Sequence, residues 1–566
     1  MFEVQSLWDV ILLLIVILAA APFFGSYLGK VYMDRPIFGD FLITPVENAV
    51  YRLLGTSPRK SMRATEYFVA LLLVNLGIWG FLYLFFLYQN LLPMDATGAP
   101  GMAWDLAFHS ASSFVTNTDF THFTNETQMS LGSLVIAWPL ALFGSAATGL
   151  CVAAATIRGF VRKDGTVGNY YVDMTRTLTR ILLPLSILFA VLLVVMGSPQ
   201  TYTNLVIAHP ITGGQQEIIL GPVASYQAIS LLGTNGGGFY SANAAMPFAN
   251  PSAVSNLFLV FVMMLIPFST PFAFGQIIRK RGEAWPYMGT ILIVFCFALG
   301  LFIAYQAATN PTLAGLAFLG PQTNGYPVGQ ETRFSLPEAS LFQVTSVYSN
   351  VGANNMMIGA LSPVAQLVLL FGMFTQSTPG GEGTGFGTLL LFAVLGIFVG
   401  GLMVGRTPEY LGKKITTRHV RWAALALLIH PTAILIPFVV AVTGHFVSTA
   451  TGSIPASAHV FTSVLYEFTS ESANNGSALS DAQFNDATVF FNIAGAVVML
   501  VGRFVPIWAM LMIGGLFSEQ DVLPPGPGTL RTASLTFTIY ITLFLIIVSV
   551  LLFLPVIALG PLAQII

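Results

Sequence analysis

Four short clusters of asparagine, glycine, serine and threonine recur along this 566-residue chain. They read Ser113-Phe-Val-Thr-Asn-Thr-Asp119, Leu232-Gly-Thr-Asn-Gly-Gly-Gly238, Tyr348-Ser-Asn-Val-Gly-Ala-Asn354 and Thr469-Ser-Glu-Ser-Ala-Asn-Asn-Gly-Ser477. Aligned on the third position of a small polar triplet, Thr118, Gly236, Gly352 and Gly476 fall in register at intervals of 118, 116 and 124 residues. The triplets are then Thr116, Asn117 and Thr118; Thr234, Asn235 and Gly236; Asn350, Val351 and Gly352; and Asn474, Asn475 and Gly476. Glycine reaches the positive-φ conformations that let successive carbonyls point one way. A ring of such carbonyls replaces the hydration shell of a cation. One cluster of this kind is normally a solvated turn, but four at near-equal spacing predict a cation pathway. Four unlike loops, with Thr118 where the others carry glycine, predict an asymmetric filter.

Further residues bear on the same path. Pro379 with Gly380, Gly381, Gly383, Gly385 and Gly387 interrupts an apolar run too often for a continuous helix. We expect an intramembrane break below the filter that gates passage, rather than two helices joined by an exposed connection. Arg503 lies in an apolar helix, where a charge is costly and usually faces the interior or a water-filled cavity. Its alternatives are a snorkelling or helix-pairing arginine and a positive charge that sets how far a cation descends. Asp119, Glu467 and Glu471 are expected to enrich cations at an outer mouth or to form a solvated face. His109 and His122 have no companions at metal-ligand spacing, so no metal site beyond that for the transported ion is expected.

The elements that must hold these residues are transmembrane. The chain is 55% hydrophobic and 8% charged, with a mean hydropathy of +0.78, against about 25% charged in a soluble domain. That composition excludes a soluble enzyme, a nucleic-acid binder and a disordered scaffold. Cys151 and Cys296 lie in apolar runs and give no disulfide framework. Apolar spans are read at 7–29, 66–89, 131–157, 181–197, 254–278, 286–308, 361–404, 422–444, 488–516 and 534–558. Glu3 and Asp9 stand where a cleavable signal would be basic, so the first span is retained. Of the 22 lysines and arginines, 20 fall in odd-numbered loops, which the positive-inside rule makes cytoplasmic, leaving both termini outside. Each outside loop carries a short amphipathic stretch and then a cluster, the order of a re-entrant pore loop. Non-helical backbone at that depth is tolerated only where protein or a water-filled cavity satisfies it, so the four clusters should meet centrally. The expected fold is an all-α polytopic membrane protein with ten transmembrane helices and four helix/pore-loop/helix repeats. The expected units are a first helix and loop at 1–64, repeats at 65–162, 163–281, 282–418 and 419–516, and a last helix at 517–566.

The triplets at 116–118, 234–236 and 474–476, with Ser477, Gly237-Gly238-Phe239 and the run Gly405-Arg-Thr-Pro-Glu-Tyr-Leu-Gly-Lys-Lys-Ile415, resemble the potassium-binding subunit of Kdp-type potassium-transporting ATPases. Gly221-Pro-Val-Ala-Ser225, Pro247-Phe-Ala-Asn-Pro251 and Val501-Gly-Arg-Phe504 extend the resemblance over essentially the whole chain. It implies a fold of the potassium transporter superfamily in a bacterial inner membrane. It also implies a subunit that selects extracytoplasmic potassium without hydrolysing ATP. The implied partners are a P-type ATPase catalytic subunit, a single-span accessory subunit, in many bacteria a short hydrophobic peptide, and membrane lipid; nucleic acid is not implied. The chain has neither an Asp-Lys-Thr-Gly phosphorylation motif nor a Gly-x-x-x-x-Gly-Lys-Ser/Thr loop, so no catalytic or ATP site is expected on it. Departures from the family pattern fall at Thr375-Gln-Ser-Thr-Pro-Gly-Gly-Glu-Gly-Thr-Gly385, where Gln376 replaces an acidic residue and Glu382 supplies one downstream, at Asn350-Val351, and at Asp119 and Glu471. Arg406 is expected to cap a helix at the cytoplasmic face, the alternative being a direct part in transport. The alternatives are an autonomous potassium channel or symporter of the same superfamily, and an assembly subunit whose filter is vestigial.

Overall fold

The computed structural model describes residues 2–92, 98–308, 329–403, 405, 408–447, 457–479, 488–524 and 530–565. Among them, ten helices are long and apolar enough to cross a membrane, from Gln5–Tyr32 to Leu535–Leu559. Eight of these form four pairs, each enclosing a shorter helix that ends at a cluster. The first pair is Ala64–Leu87 and Ser133–Gly159 around Trp104–Val115; the second is Tyr170–Val195 and Ala253–Ile277 around Val223–Leu232. The third is Arg281–Ala307 and Thr384–Met403 around Leu336–Tyr348; the fourth is Thr417–Thr443 and Val489–Ser518 around Ala458–Ala473.

Burial sorts each pair into an outer and an inner helix. In the most apolar stretch of Ser133–Gly159, 89% of residues are buried, and 83% in Ala253–Ile277, against 22% and 33% in their first-helix partners. Ser133–Gly159 can sit centrally because its lower half is Gly-, Ala- and Thr-rich, which lets backbones approach without hydrophobic side chains between them. The outer helices keep Leu73, Leu76, Leu188, Val191, Leu428 and Ile436 exposed, as a lipid-facing surface requires.

The expected span at 361–404 is two helices, Pro363–Thr375 and Thr384–Met403. At about 1.5 Å per residue the first is some 20 Å long, too short to cross a bilayer alone. Residues 377–383 between them are all buried, so the connection is internal rather than exposed. Two features went unread in the sequence. An amphipathic helix, Asp40–Leu53, follows the first span, and two small antiparallel hairpins interrupt the all-α pattern: Leu205–Ala208 with Gln216–Ile219, and Glu409–Tyr410 with Lys413–Lys414.

The second hairpin lies in the 405–415 motif. Arg406 falls outside the described residues; within the same motif Lys413 caps helix ends. Its Nζ donates to the carbonyls of Gly159 (3.0 Å), Arg162 (2.8 Å) and Phe517 (2.6 Å), at the ends of two inner helices. These are terminal carbonyls that a helix leaves unsatisfied, at the negative end of its dipole. Burial and the nearby Lys163 pull the Lys413 ammonium from its ordinary 10.5 down to about 8.

Candidate ion-binding site

The short helices end at Val115, Leu232, Tyr348 and Ala473, and each is followed by the same backbone signature. Positive φ occurs at Asn117 and Asp119 (64° and 50°), Thr234 and Gly236 (45° and 82°), Asn350 and Gly352 (51° and 81°), and Asn474 and Gly476 (53° and 93°). The residue between each pair is not left-handed. Such alternation turns successive carbonyls to one side, whereas an extended strand sends them to opposite sides.

Hydrogen bonds fix the same register. The carbonyls of Ser113, Ser230, Ser346 and Ser470 accept the amides of Thr118 (3.0 Å), Asn235 (2.8 Å), Val351 (2.8 Å) and Asn475 (2.9 Å). The next amides, of Asp119, Gly236 and Gly352, reach the first three carbonyls again at 3.3 to 3.5 Å, while Gly476 donates to the Ser470 hydroxyl at 3.1 Å. The expected alignment was therefore off by one in the first repeat. Asp119, not Thr118, stands level with the three glycines, Thr118 is level with Asn235, Val351 and Asn475, and Thr116 is level with Gly233, Ser349 and Ala473. The serine recurring six residues before the last position was the missed signal.

The loops close into a ring. A β-carbon on Gly236 would collide with the Val351 carbonyl oxygen, one on Gly352 with that of Asn475, and one on Gly476 with that of Thr118. Each glycine thus lies against the middle carbonyl of the next loop. The remaining seam, between the first and second loops, is held by Asn117, whose Nδ2 donates to the carbonyls of Gly233 (3.1 Å) and Thr234 (2.7 Å). Asn474 Nδ2 donates to the Thr118 hydroxyl at 3.0 Å, and Asn475 Nδ2 to the Val347 carbonyl at 3.0 Å. At the fourth position of the ring, Asp119 brings a side chain where the others have none, and Gly237 makes room for it: a β-carbon there would lie 2.7 Å from Asp119 Cβ. Asp119 is 4% exposed, and neither carboxylate oxygen makes a hydrogen bond among the described residues.

The internal break lies against the inner ends of the loops. The Gly380 amide donates to the Tyr348 carbonyl (2.8 Å), and the Glu382 amide to the Thr234 hydroxyl (3.1 Å). Pro379, Gly381, Gly383 and Gly385 are buried with them. The Glu382 carboxylate is also buried, without a hydrogen-bond partner among the described residues. A β-carbon on Gly149 would sit 3.1 Å from Glu382 Oε1 and 3.3 Å from Arg503 Nη2, so this glycine holds the space both charges occupy. Arg503 is 6% exposed and donates to the Ser145 carbonyl at 3.0 Å. It faces the protein interior and does not snorkel.

Two expectations fail here. Asp119, Glu467 and Glu471 are 4%, 2% and 1% exposed, so they form neither a charged outer mouth nor a solvated face. His109 and His122 do have a companion at ligand distance: their ligating atoms and a Glu471 oxygen lie within 4.8 Å of one another. The long separation of Glu471 from the histidines in sequence hid it.

Residues 11–566 match the family described as potassium-transporting ATPase A subunit. The potassium-transporting ATPase potassium-binding subunit of a Nostoc species is 38% identical over 561 residues, covering 99% of this chain and 98% of that one. The proteins of the same description from Geobacillus kaustophilus and Pseudomonas aeruginosa are 37% and 39% identical, covering 100% and 97% of this chain. Among solved structures, the potassium transporter TrkH of Vibrio parahaemolyticus matches with a TM-score of 0.51 over 90% of this chain and 97% of that one, at 16% identity. That likeness is one of fold.

Proposed function

We propose that this chain, which belongs to the family of potassium-transporting ATPase A subunits, binds extracytoplasmic potassium in the ring of four loops and hands it to a P-type ATPase partner for ATP-driven uptake. The observation that carries this reading is the closure of the ring, in which three glycines each abut the next loop's middle carbonyl. Closely spaced carbonyls exchange for an ion's water shell. The four short helices direct their partially negative C-terminal ends at the same place, and the buried Asp119 carboxyl adds oxygens to one side of it.

In this reading the ion enters from the side with few basic residues, the odd loops and their lysines and arginines face the cytoplasm of a bacterial inner membrane, and both termini are extracytoplasmic. Residues of the three triplets at 234–236, 350–352 and 474–476, together with 117–119, supply the oxygens. The segment from Pro379 to Gly385 acts as the gate on the exit side. Glu382 attracts the ion leaving the ring, and the guanidinium of Arg503 stops it from descending further, so that it leaves sideways toward the catalytic partner. An accessory single-span subunit and a short hydrophobic peptide complete the assembly.

The test is ATP hydrolysis by this chain copurified with its membrane partners, with potassium and sodium titrated separately. The reading requires stimulation by potassium at concentrations where sodium is without effect. Equal stimulation by both ions, or none by either, removes it.

A further inference from the structure

We propose that His109, His122 and Glu471, with Glu467, form a binding site for a divalent transition-metal cation of the zinc class, wedged behind the filter between the first and fourth short helices. His109 lies on Trp104–Val115, His122 on the strand of chain leaving the first loop, and both glutamates on Ala458–Ala473. His109 Nε2 is 3.6 Å from Glu471 Oε1, and the imidazole rings are stacked with centroids 3.9 Å apart. Two imidazoles and a carboxylate are a donor set suited to zinc and its neighbours in the first transition row.

Three observations point to a bound ion rather than a packed polar core. First, the cluster is unsatisfied. His109 and Glu471 are 0% and 1% exposed, yet neither ring nitrogen of His109 and neither oxygen of Glu471 has a hydrogen-bond partner among the described residues. Burying four such atoms without partners is costly, and one cation between them would engage both residues at once.

Second, the fold keeps space for the carboxylate. A β-carbon on Gly495 of the helix Val489–Ser518 would collide with Glu471 Oε1.

Third, the hydrogen-bond network orients the second imidazole toward the cluster. Asn492 Nδ2 donates to Asp105 Oδ2 at 2.8 Å, which turns Asn492 Oδ1 toward His122 Nδ1, 2.7 Å away. The amide oxygen only accepts, so Nδ1 carries a ring proton and Nε2 is turned toward the glutamates. Nε2 faces Glu467 Oε1 at 3.0 Å, where a ring proton or a shared cation holds the two together. An imidazole whose far N–H is held by a side-chain oxygen is the usual arrangement of a metal-ligating histidine. A metal here would tie the first loop to the fourth short helix, beside the seam where Gly476 meets Thr118.

The experiment uses the detergent-purified complex, dialysed against chelator, then titrated with zinc and counted by elemental analysis. Cobalt(II) is titrated in parallel, and its visible absorption read. The proposal requires about one tightly held zinc per chain, intense cobalt bands of a low-coordinate nitrogen and oxygen site, and at least a tenfold loss of zinc affinity in both His109→Gln and Glu471→Gln. His209→Gln, on an exposed loop, should bind as the parent does. Absence of stoichiometric zinc and of cobalt bands in the parent protein overturns the site without reference to any variant. So does retention of full affinity in the two variants. Neither readout depends on transport, so either result stands apart from the function proposed above.

Discussion

A β-carbon on Gly476 would collide with the carbonyl oxygen of Thr118, although these residues come from the last and first of the four loops. This contact closes the ring, and it holds only while position 476 lacks a side chain and keeps its φ of 93°.

Replacing Gly476 with alanine should therefore force the first and fourth loops apart. Alanine is strained at positive φ as well as sterically blocked. Half-maximal potassium stimulation of the complex's ATPase should move at least tenfold higher, with the assembled complex still recoverable. An unchanged potassium dependence would show that this seam does not shape the site.

Asp119 and Gly237 should behave as a pair. Gly237→Ala places a methyl group against Asp119 Cβ and should weaken potassium activation severalfold. Asp119→Gly restores space at the cost of the carboxyl oxygens, so it should weaken activation alone but suppress most of the Gly237→Ala defect when the two are combined. A double-mutant cycle measures the coupling, and simple additivity would mean the two residues act separately.

The gate is predicted to affect rate rather than binding. Gly383 has φ of 74°, and a β-carbon there would collide with the Gly149 carbonyl oxygen. Gly383→Ala and Gly381→Ala should lower maximal potassium-stimulated turnover severalfold while shifting the half-maximal potassium concentration less than twofold. The opposite pattern would move these residues from the exit path into the binding site.

Lys413→Met strips a donor from three helix-end carbonyls, and each buried carbonyl left unpaired costs roughly 1–3 kcal/mol. The thermal unfolding midpoint of the complex should fall. The pH dependence has a definite sign: the folded Lys413 loses its proton near pH 8 and the unfolded one near 10.5, so between these values the unfolded chain binds more protons and stability rises with pH. The gap between parent and variant should widen over that window. A gap that narrows would mean that the three carbonyls hold the ammonium against burial and Lys163, and would contradict the downward shift.

The sequence made the membrane architecture legible because hydropathy and the sidedness of lysine and arginine act locally along the chain. Nine of the ten spans were placed to within a few residues at most ends, the fourth starting well before its predicted position, while the seventh, read at 361–404, is the short helix Pro363–Thr375 followed by the membrane helix Thr384–Met403. The ring was legible as four clusters but not in its register. Glycine marks the left-handed position in three loops, and aspartate, which tolerates that conformation better than most residues, takes it in the first. An alignment on residue type therefore stopped one position short, at Thr118. Helix capping by Lys413 and the meeting of His109, His122 and Glu471 were not legible, because both are set by long-range packing of elements distant in sequence. Glu382 was noticed as a displaced charge, but only the small Gly149 reveals that it shares its space with Arg503.

The most direct test of the central claim is potassium-stimulated ATPase activity of the copurified complex beside a Gly236→Asp variant, with the chain alone reconstituted in liposomes. The account predicts potassium stimulation that weakens strongly in the variant, because the added side chain meets the Val351 carbonyl, and no sustained potassium flux through the chain alone. If no ATPase copurifies and potassium still crosses liposomes containing only this chain, the account is contradicted and an autonomous channel or symporter takes its place.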